Sequence, residues 1–224
     1  MDLIRATHRP PCGLRPERTS AGRQQSQGRW GYSICMRFWW YIEWPREVRE
    51  RTLLHIRERG HHDLISINVL EYATIIINFV AATYFFTKVA PNTNDPYPVA
   101  LIEADNTSAE SWTLKSCKSS TIGRELGLLQ CALMIQNPVG ICTGRVTTEE
   151  NFIADGISRV ENSRDADSFF HSLVQDFPQL RSCRRFHPSV ELVSSVTHIL
   201  LQRQSVDPLR LSRRILEHLG RSTT

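Results

Sequence analysis

The spacing of apolar residues changes period several times along this chain, and each change marks an element. Tyr32, Ile34 and Met36 alternate with Ser33, Cys35 and Arg37, the two-residue period of a strand beginning near Gly31. Phe38 to Trp44 is aromatic and β-prone and predicts a second strand. Pro45 follows it and suits the first turn of a helix. Val48, Leu53, Leu54 and Ile56 fall roughly on one side of a helix over Arg46 to Arg59, with Gly60 as its stop. Leu64 to Ile67 reads as a short strand, after which Asn68 is suited to cap a long helix running to about Phe86. In that helix Val69, Leu70, Ala73, Ile76, Ile77, Val80, Ala81 and Tyr84 recur at helical spacing, although Ile75-Ile76-Ile77 favours strand locally.

Pro91 to Pro98 reads as loop, and the apolar run Val99 to Ala104 as a buried strand. Asp105, Asn106 and Thr107 then supply side chains that suit a helix start. Helices are expected over Ser108 to Leu114 and Ile122 to Ile135, the second broken by Asn137-Pro138. Val139 to Val146 predicts a last strand, and Glu149 to Val160 a helix carrying Asp155. From Glu161 onward, helical spacing recurs at Ala166 to Gln175, Val190 to Gln202 and Leu209 to Leu219, with Pro178, Pro188 and Pro208 between these stretches. There is no internal repeat.

Composition sharpens this picture at the N-terminus. The chain has 224 residues, enough for one domain with appendages or two small domains. Its hydrophobic share of 41% argues against wholesale disorder. The net charge of +4 is unevenly spread: residues 1–30 hold six Arg against Asp2 and Glu17, and the remainder is balanced. Residues 1–30 contain no Lys and no apolar period, and read as a disordered Arg-rich arm. A nucleic-acid-binding arm and the translation of a shifted reading frame are the other readings of that stretch. A balanced remainder excludes a strongly basic DNA-coating protein, so any grip on nucleic acid rests on local patches.

The six cysteines show no C-x-x-C spacing, which argues against a zinc ribbon or a dense disulfide scaffold and for a reduced, intracellular chain. No apolar secretory segment opens the sequence. The one membrane candidate, Ile65 to Phe86, contains Asn68, Glu71 and Asn78. An ionised Glu in a lone spanning helix costs on the order of 3 kcal/mol, so the expectation is no membrane.

Three acids stand at strand ends and helix starts: Glu71 in the long helix, Asp105 beyond a buried strand, and Asp155 in a helix after the last strand. Such positions can converge at one sheet edge, where clustered carboxylates are stable mainly around a cation. Oxygen ligands suit Mg²⁺ or Mn²⁺, and two such ions can clamp the attacking and leaving oxygens of a phosphodiester. Taken singly, each acid has a simpler reading that outweighs the metal one: Asp105 as a helix cap, Glu71 as a partner of the helix N-terminus and Asp155 as a solvated surface charge. His61-His62-Asp63 reads as a polar loop, and Trp39-Trp40 and Trp44 as packing aromatics.

The order of the acids carries a resemblance. Ile67-Asn68-Val69-Leu70-Glu71, then Glu103-Ala104-Asp105-Asn106-Thr107-Ser108-Ala109, then Gly144, Asn151 and Ala154-Asp155-Gly156-Ile157-Ser158-Arg159 resemble, in sequence, the motifs of the ribonuclease H-like domain of retrotransposon reverse transcriptase polyproteins. The likeness covers about Gly31 to Arg159, and Phe186-His187-Pro188 and Asp207-Pro208-Leu209 resemble the segment after that domain in some elements.

The resemblance implies an α/β fold, a mixed β-sheet flanked by helices, spanning residues 31–160, with 161–224 as a helical tail or linker. It implies hydrolysis of the RNA strand of an RNA–DNA hybrid, recognised through its 2′-hydroxyls, with Glu71, Asp105 and Asp155 holding Mg²⁺ or Mn²⁺. Asn106, Lys115, Lys118, Arg124 and Arg145 are the candidates for nucleic-acid contact, and the polymerase part of the same element is a candidate partner.

Two departures follow. The family's opening strand carries a further Asp before the segment at Gly31, yet Thr19 to Gly28 holds no acid. That strand is central in the family's sheet, so its loss is expected to damage both sheet and site, leaving activity impaired or absent. The family's loop His after the Gly is Arg145 here. A non-catalytic nucleic-acid-binding or interaction module on the same scaffold is the alternative, and an unrelated helical interaction protein is a third.

Overall fold

A helix apolar on every side cannot lie on a surface, and the long central helix of this chain is covered all round. The structure, a computed structural model, describes residues 3–5, 28–33, 36–57, 65–89, 99–104, 106–115, 120–137, 139–147, 153, 156, 160, 162–202 and 207–219. Among them, three short strands come first: β1 (Leu3–Arg5), β2 (Gly28–Ser33) and β3 (Phe38–Glu43). Helices α1 (Arg46–Arg57) and α2 (Ile67–Val89) follow, then β4 (Val99–Ala104), α3 (Thr107–Leu114), α4 (Thr121–Ile135) and β5 (Gly140–Arg145). The chain continues as α5 (Ser163–Asp176), a 3-10 turn (Pro178–Ser182), β6 (Arg184–Arg185), α6 (Val190–Leu200) and α7 (Pro208–Glu217). The fold is mixed α/β.

The strands form two three-stranded sheets rather than one. In the first, β1 and β5 both pair parallel with β4. In the second, β2 pairs antiparallel and β6 parallel with β3. Helix α2 packs against β2 of one sheet and β4 of the other. Its side chains Leu70, Ala73, Ile76, Ile77, Phe79 and Ala81 are completely buried. The run Ile75-Ile76-Ile77 is helical despite its strand preference, because packing of the surrounding face outweighs a fraction of a kcal/mol of propensity per residue. Its hydroxyls are satisfied within the helix: Thr74 donates to the Leu70 carbonyl and Thr83 to that of Phe79, both at 2.9 Å. Length and composition alone would let Ile67–Thr87 cross a membrane, but 78% of its most apolar stretch is buried in the protein. The apolar surface is therefore already covered by the core.

The second sheet is buried on both faces. Phe38, Trp40 and Ile42 point to the α2 side, while Trp30, Tyr32, Trp39 and Tyr41 form a second core with α5 residues Phe170 and Leu173. Trp39 stacks on Phe170 with ring centroids 4.4 Å apart. Gly31 lies opposite Trp40 in the ladder, and Trp40 donates from Nε1 to Asn78 Oδ1 of α2 at 2.8 Å. A Cβ at residue 31 would overlap that Asn78 oxygen and come within 2.7 Å of Trp40 Nε1. Only glycine lets the helix approach this strand so closely.

Several expectations change on this scaffold. Within the stretch read as a disordered arm, Leu3–Arg5 is a strand on β4, and β2 begins at Gly28 rather than Gly31. Ile67 is helical, not strand, and Ser66 rather than Asn68 caps α2, accepting from Val69 N at 3.3 Å. Glu71 accordingly lies beyond the first turn, so attraction to the helix N-terminus does not account for it. The expected helix around Asp155 falls largely outside the described residues, where Ile153 and Gly156 are helical.

The segment expected as tail or linker is part of the core. Arg184 donates its N–H to Arg37 O at 2.8 Å and Phe186 to Trp39 O at 2.7 Å, which adds β6 to the second sheet. Phe186 then packs against Tyr84 and Phe85 of α2, with ring centroids 5.5 and 5.9 Å apart. Leu192, Val196 and Leu200 of α6 and Ile215 of α7 are fully buried in the main core. Two arginines give no apolar alternation, so β6 leaves no strand signature in the sequence.

Gly31→Ala forces α2 and β2 apart or displaces the Asn78 side chain from Trp40. The expected cost is about 1–3 kcal/mol of stability, read as a lower urea midpoint with an unchanged slope.

Candidate functional site

Two of the three motif segments meet at one place. Asn106 stands at the C-terminal end of β4 as the N-cap of α3, its Oδ1 accepting from Ser108 N and Ala109 N at 3.0 Å each. Its Nδ2 donates to Asn68 Oδ1 at 2.9 Å, one residue into the start of α2. The beginnings of α2 and α3 are thereby tied together at the edge where β4 ends. Parallel pairing brings the end of β5 to that same edge: Ala104 pairs with Arg145, and Val146 N donates to Ala104 O at 3.1 Å.

Glu71 belongs to this end of α2. It lies seven residues before Asn78, two helical turns, and therefore on the same side of the helix. Asn78 faces Gly31 of β2, and Arg29, two residues before Gly31, shares that face of the strand. The consequence is an ion pair: Arg29 Nη2 is 3.1 Å from Glu71 Oε1, with the Arg side chain 4% and the Glu side chain 23% exposed. Burial strips water from the guanidinium, and the carboxylate supplies its counter-charge.

A second acid lies within electrostatic reach of β2. Glu103 of β4 is half-buried, and its charge, after burial itself, helps push the Tyr32 phenol up to about 12. Tyr32 is on β2, so the edge of the first sheet and the face of the second come within electrostatic reach. Across the second core, burial raises Tyr41 to about 12 as well, with Glu43 adding to it.

The cationic candidates are spread out. Arg145 is exposed at the end of β5, Arg124 is exposed in the first turns of α4, and Lys115 is exposed as the C-cap of α3. Asp105, Asp155 and Lys118 lie outside the described residues. The amide of Asn106 is committed to the α3 cap and to Asn68. Sequence reasoning missed Arg29, which it counted within the arm; the only signal was a charge beside the aromatic run that opens at Trp30. It also passed over Glu103 as part of a motif.

A divalent ion needs a carboxylate with free oxygen lone pairs and little positive charge nearby. Glu71 does not fit that requirement as it stands, because a guanidinium lies against its Oε1. Among the described residues, no group of three His, Cys, Asp or Glu side chains could hold a metal. Compared with protein-family models, with curated proteins and with solved structures, the chain matches none of them.

Two substitutions test the local physics. Asn106→Ala removes the α3 cap and the Asn68 bond together and is expected to cost about 1–2 kcal/mol, whereas Asn106→Asp keeps the cap and costs less, both read from chemical denaturation. Glu71→Gln takes the counter-charge from a buried guanidinium and is expected to lower stability by about 2 kcal/mol, read as a fall in Tm.

Proposed function

We propose that this chain is a ribonuclease H-like domain of retroelement origin, directed at RNA–DNA hybrids and impaired in hydrolysis of the RNA strand. The observation that carries the reading is the Asn68–Asn106 hydrogen bond of 2.9 Å. It ties together the starts of two segments, at Ile67 and after Ala104, whose likeness to the family's motifs is ordered along the chain. Parallel pairing of β4 with β5 supports the same reading, since it sets Gly144 and Arg145 beside Glu103 and Ala104.

Impairment is supported from three sides. The family's opening strand supplies an Asp and sits centrally, whereas β1 and β2 here read Leu-Ile-Arg and Gly-Arg-Trp-Gly-Tyr-Ser, without an acid. Strands that would belong to one sheet form two separate sheets. Glu71, a metal ligand by resemblance, is engaged by Arg29. Mg²⁺ or Mn²⁺ is what the resemblance implies for Glu71, Asp105 and Asp155, and Glu71, paired with Arg29, does not fit it. What remains to the chain's own residues is binding. Arg145 at the sheet edge and Arg124 and Lys115 on the helices offer exposed cations to hybrid phosphates.

The test is a hybrid-binding and cleavage assay on the purified full chain in Mg²⁺ or Mn²⁺, beside an intact ribonuclease H. The expected result is salt-dependent hybrid binding, with RNA-strand cleavage slower than the reference by at least about 100-fold. Cleavage at the reference rate, abolished by Asp105→Asn, overturns the impairment. Failure to bind hybrid at any salt concentration overturns the assignment itself.

A further inference from the structure

Among the described residues, Arg29 is the one charged side chain within the buried set, 4% exposed. A buried guanidinium is expensive to desolvate, and the fold places it against Glu71 rather than in water. The position follows from geometry. On β2, alternate residues face α2: Gly31 meets Asn78, and Arg29, two residues earlier, reaches Glu71, two helical turns before Asn78. Two residues of strand advance about 6.6 Å and seven of helix about 10.5 Å, and the long arginine side chain spans the difference to the helix's acid.

We propose that Arg29 is a built-in counter-cation for Glu71, filling the electrostatic role that a divalent ion has in the proposed lineage. The proposal rests on the reading of Glu71 as a metal ligand by descent. A guanidinium stays charged at every working pH, is tethered to the sheet, and so is present at a fixed distance whatever the metal concentration. Its 3.1 Å contact covers Oε1, and its positive charge repels a second cation approaching the same carboxylate. The Glu71 carboxylate thereby has a counter-charge without metal, and Glu71 serves stability where the lineage used it for ion binding.

The experiment is a Mn²⁺ titration by calorimetry on the full chain, comparing wild type, Arg29→Met, Glu71→Gln and the double variant, with circular dichroism to check the fold. Wild type and Glu71→Gln are expected to take up Mn²⁺ identically, and the wild-type Tm to be unchanged by EDTA. Arg29→Met is expected to gain at least about tenfold in Mn²⁺ affinity, the effect of removing one positive charge several ångströms from a divalent ion even at water's dielectric constant. The double variant is expected to lose that gain. Wild type binding Mn²⁺ through Glu71, seen as uptake that Glu71→Gln abolishes, overturns the proposal. So does a folded Arg29→Met that gains nothing. Should Arg29→Met fail to fold, the wild type against Glu71→Gln comparison decides alone, since Glu71-dependent uptake sinks the proposal and its absence upholds it. Hybrid binding by fluorescence anisotropy on the same samples separates the two claims. Loss of the hybrid-binding result removes the nuclease lineage while the Mn²⁺ comparison still judges Arg29.

Discussion

Everything else in this fold is arranged around a helix with no polar side. Helix α2, 23 residues long, carries apolar side chains around its full circumference, and each direction has to be covered. Two small sheets, three further helices and a returning C-terminal segment supply the cover. Among the described residues each sheet has three strands, too few to supply that cover by themselves. The segment after residue 160 takes part in that cover: Phe186, Leu192, Val196 and Ile215 belong to the main core.

Several polar groups along α2 meet a partner inside this core. Tyr72 donates to Gln130 Oε1 at 2.8 Å, and Gln130 passes a hydrogen bond on to Thr113 O at 3.2 Å, stitching α2 to α4 and α3. Asn137 donates to Thr83 Oγ1 at 2.7 Å. Asn78 receives the Trp40 indole, and Asn68 receives Asn106. Each of these polar residues of α2 therefore marks where a different neighbour docks. An apolar helix packs almost equally well at several rotations, and directional bonds of this kind single out one of them.

The same logic applies to charge. Arg29 and Glu71 would each be costly where they lie, and become tolerable as a pair. A single arrangement then serves packing and electrostatics together, and it removes from Glu71 the electrostatic emptiness that a metal ligand needs. The proposed function and the stability of the fold consequently bear on the same contact.

Much of the element order was readable in the amino-acid pattern. The strand at Phe38, the long helix, the strand at Val99 and the helices at Thr121, Val190 and Pro208 all coincide with it to within a few residues. Period and capping chemistry are local, and local signals survive in one dimension. Other features were decided only in three dimensions. Whether the strands make one sheet or two, and that Arg184-Arg185 joins one of them, depends on partners distant in sequence. So does the choice of Ser66 over Asn68 as cap, since Asn106 claims the Asn68 side chain from 38 residues away. The pairing of Arg29 with Glu71 is of this kind too. Charges write no period into a sequence, and which two of them meet is fixed only when the packing of apolar faces brings their backbones together.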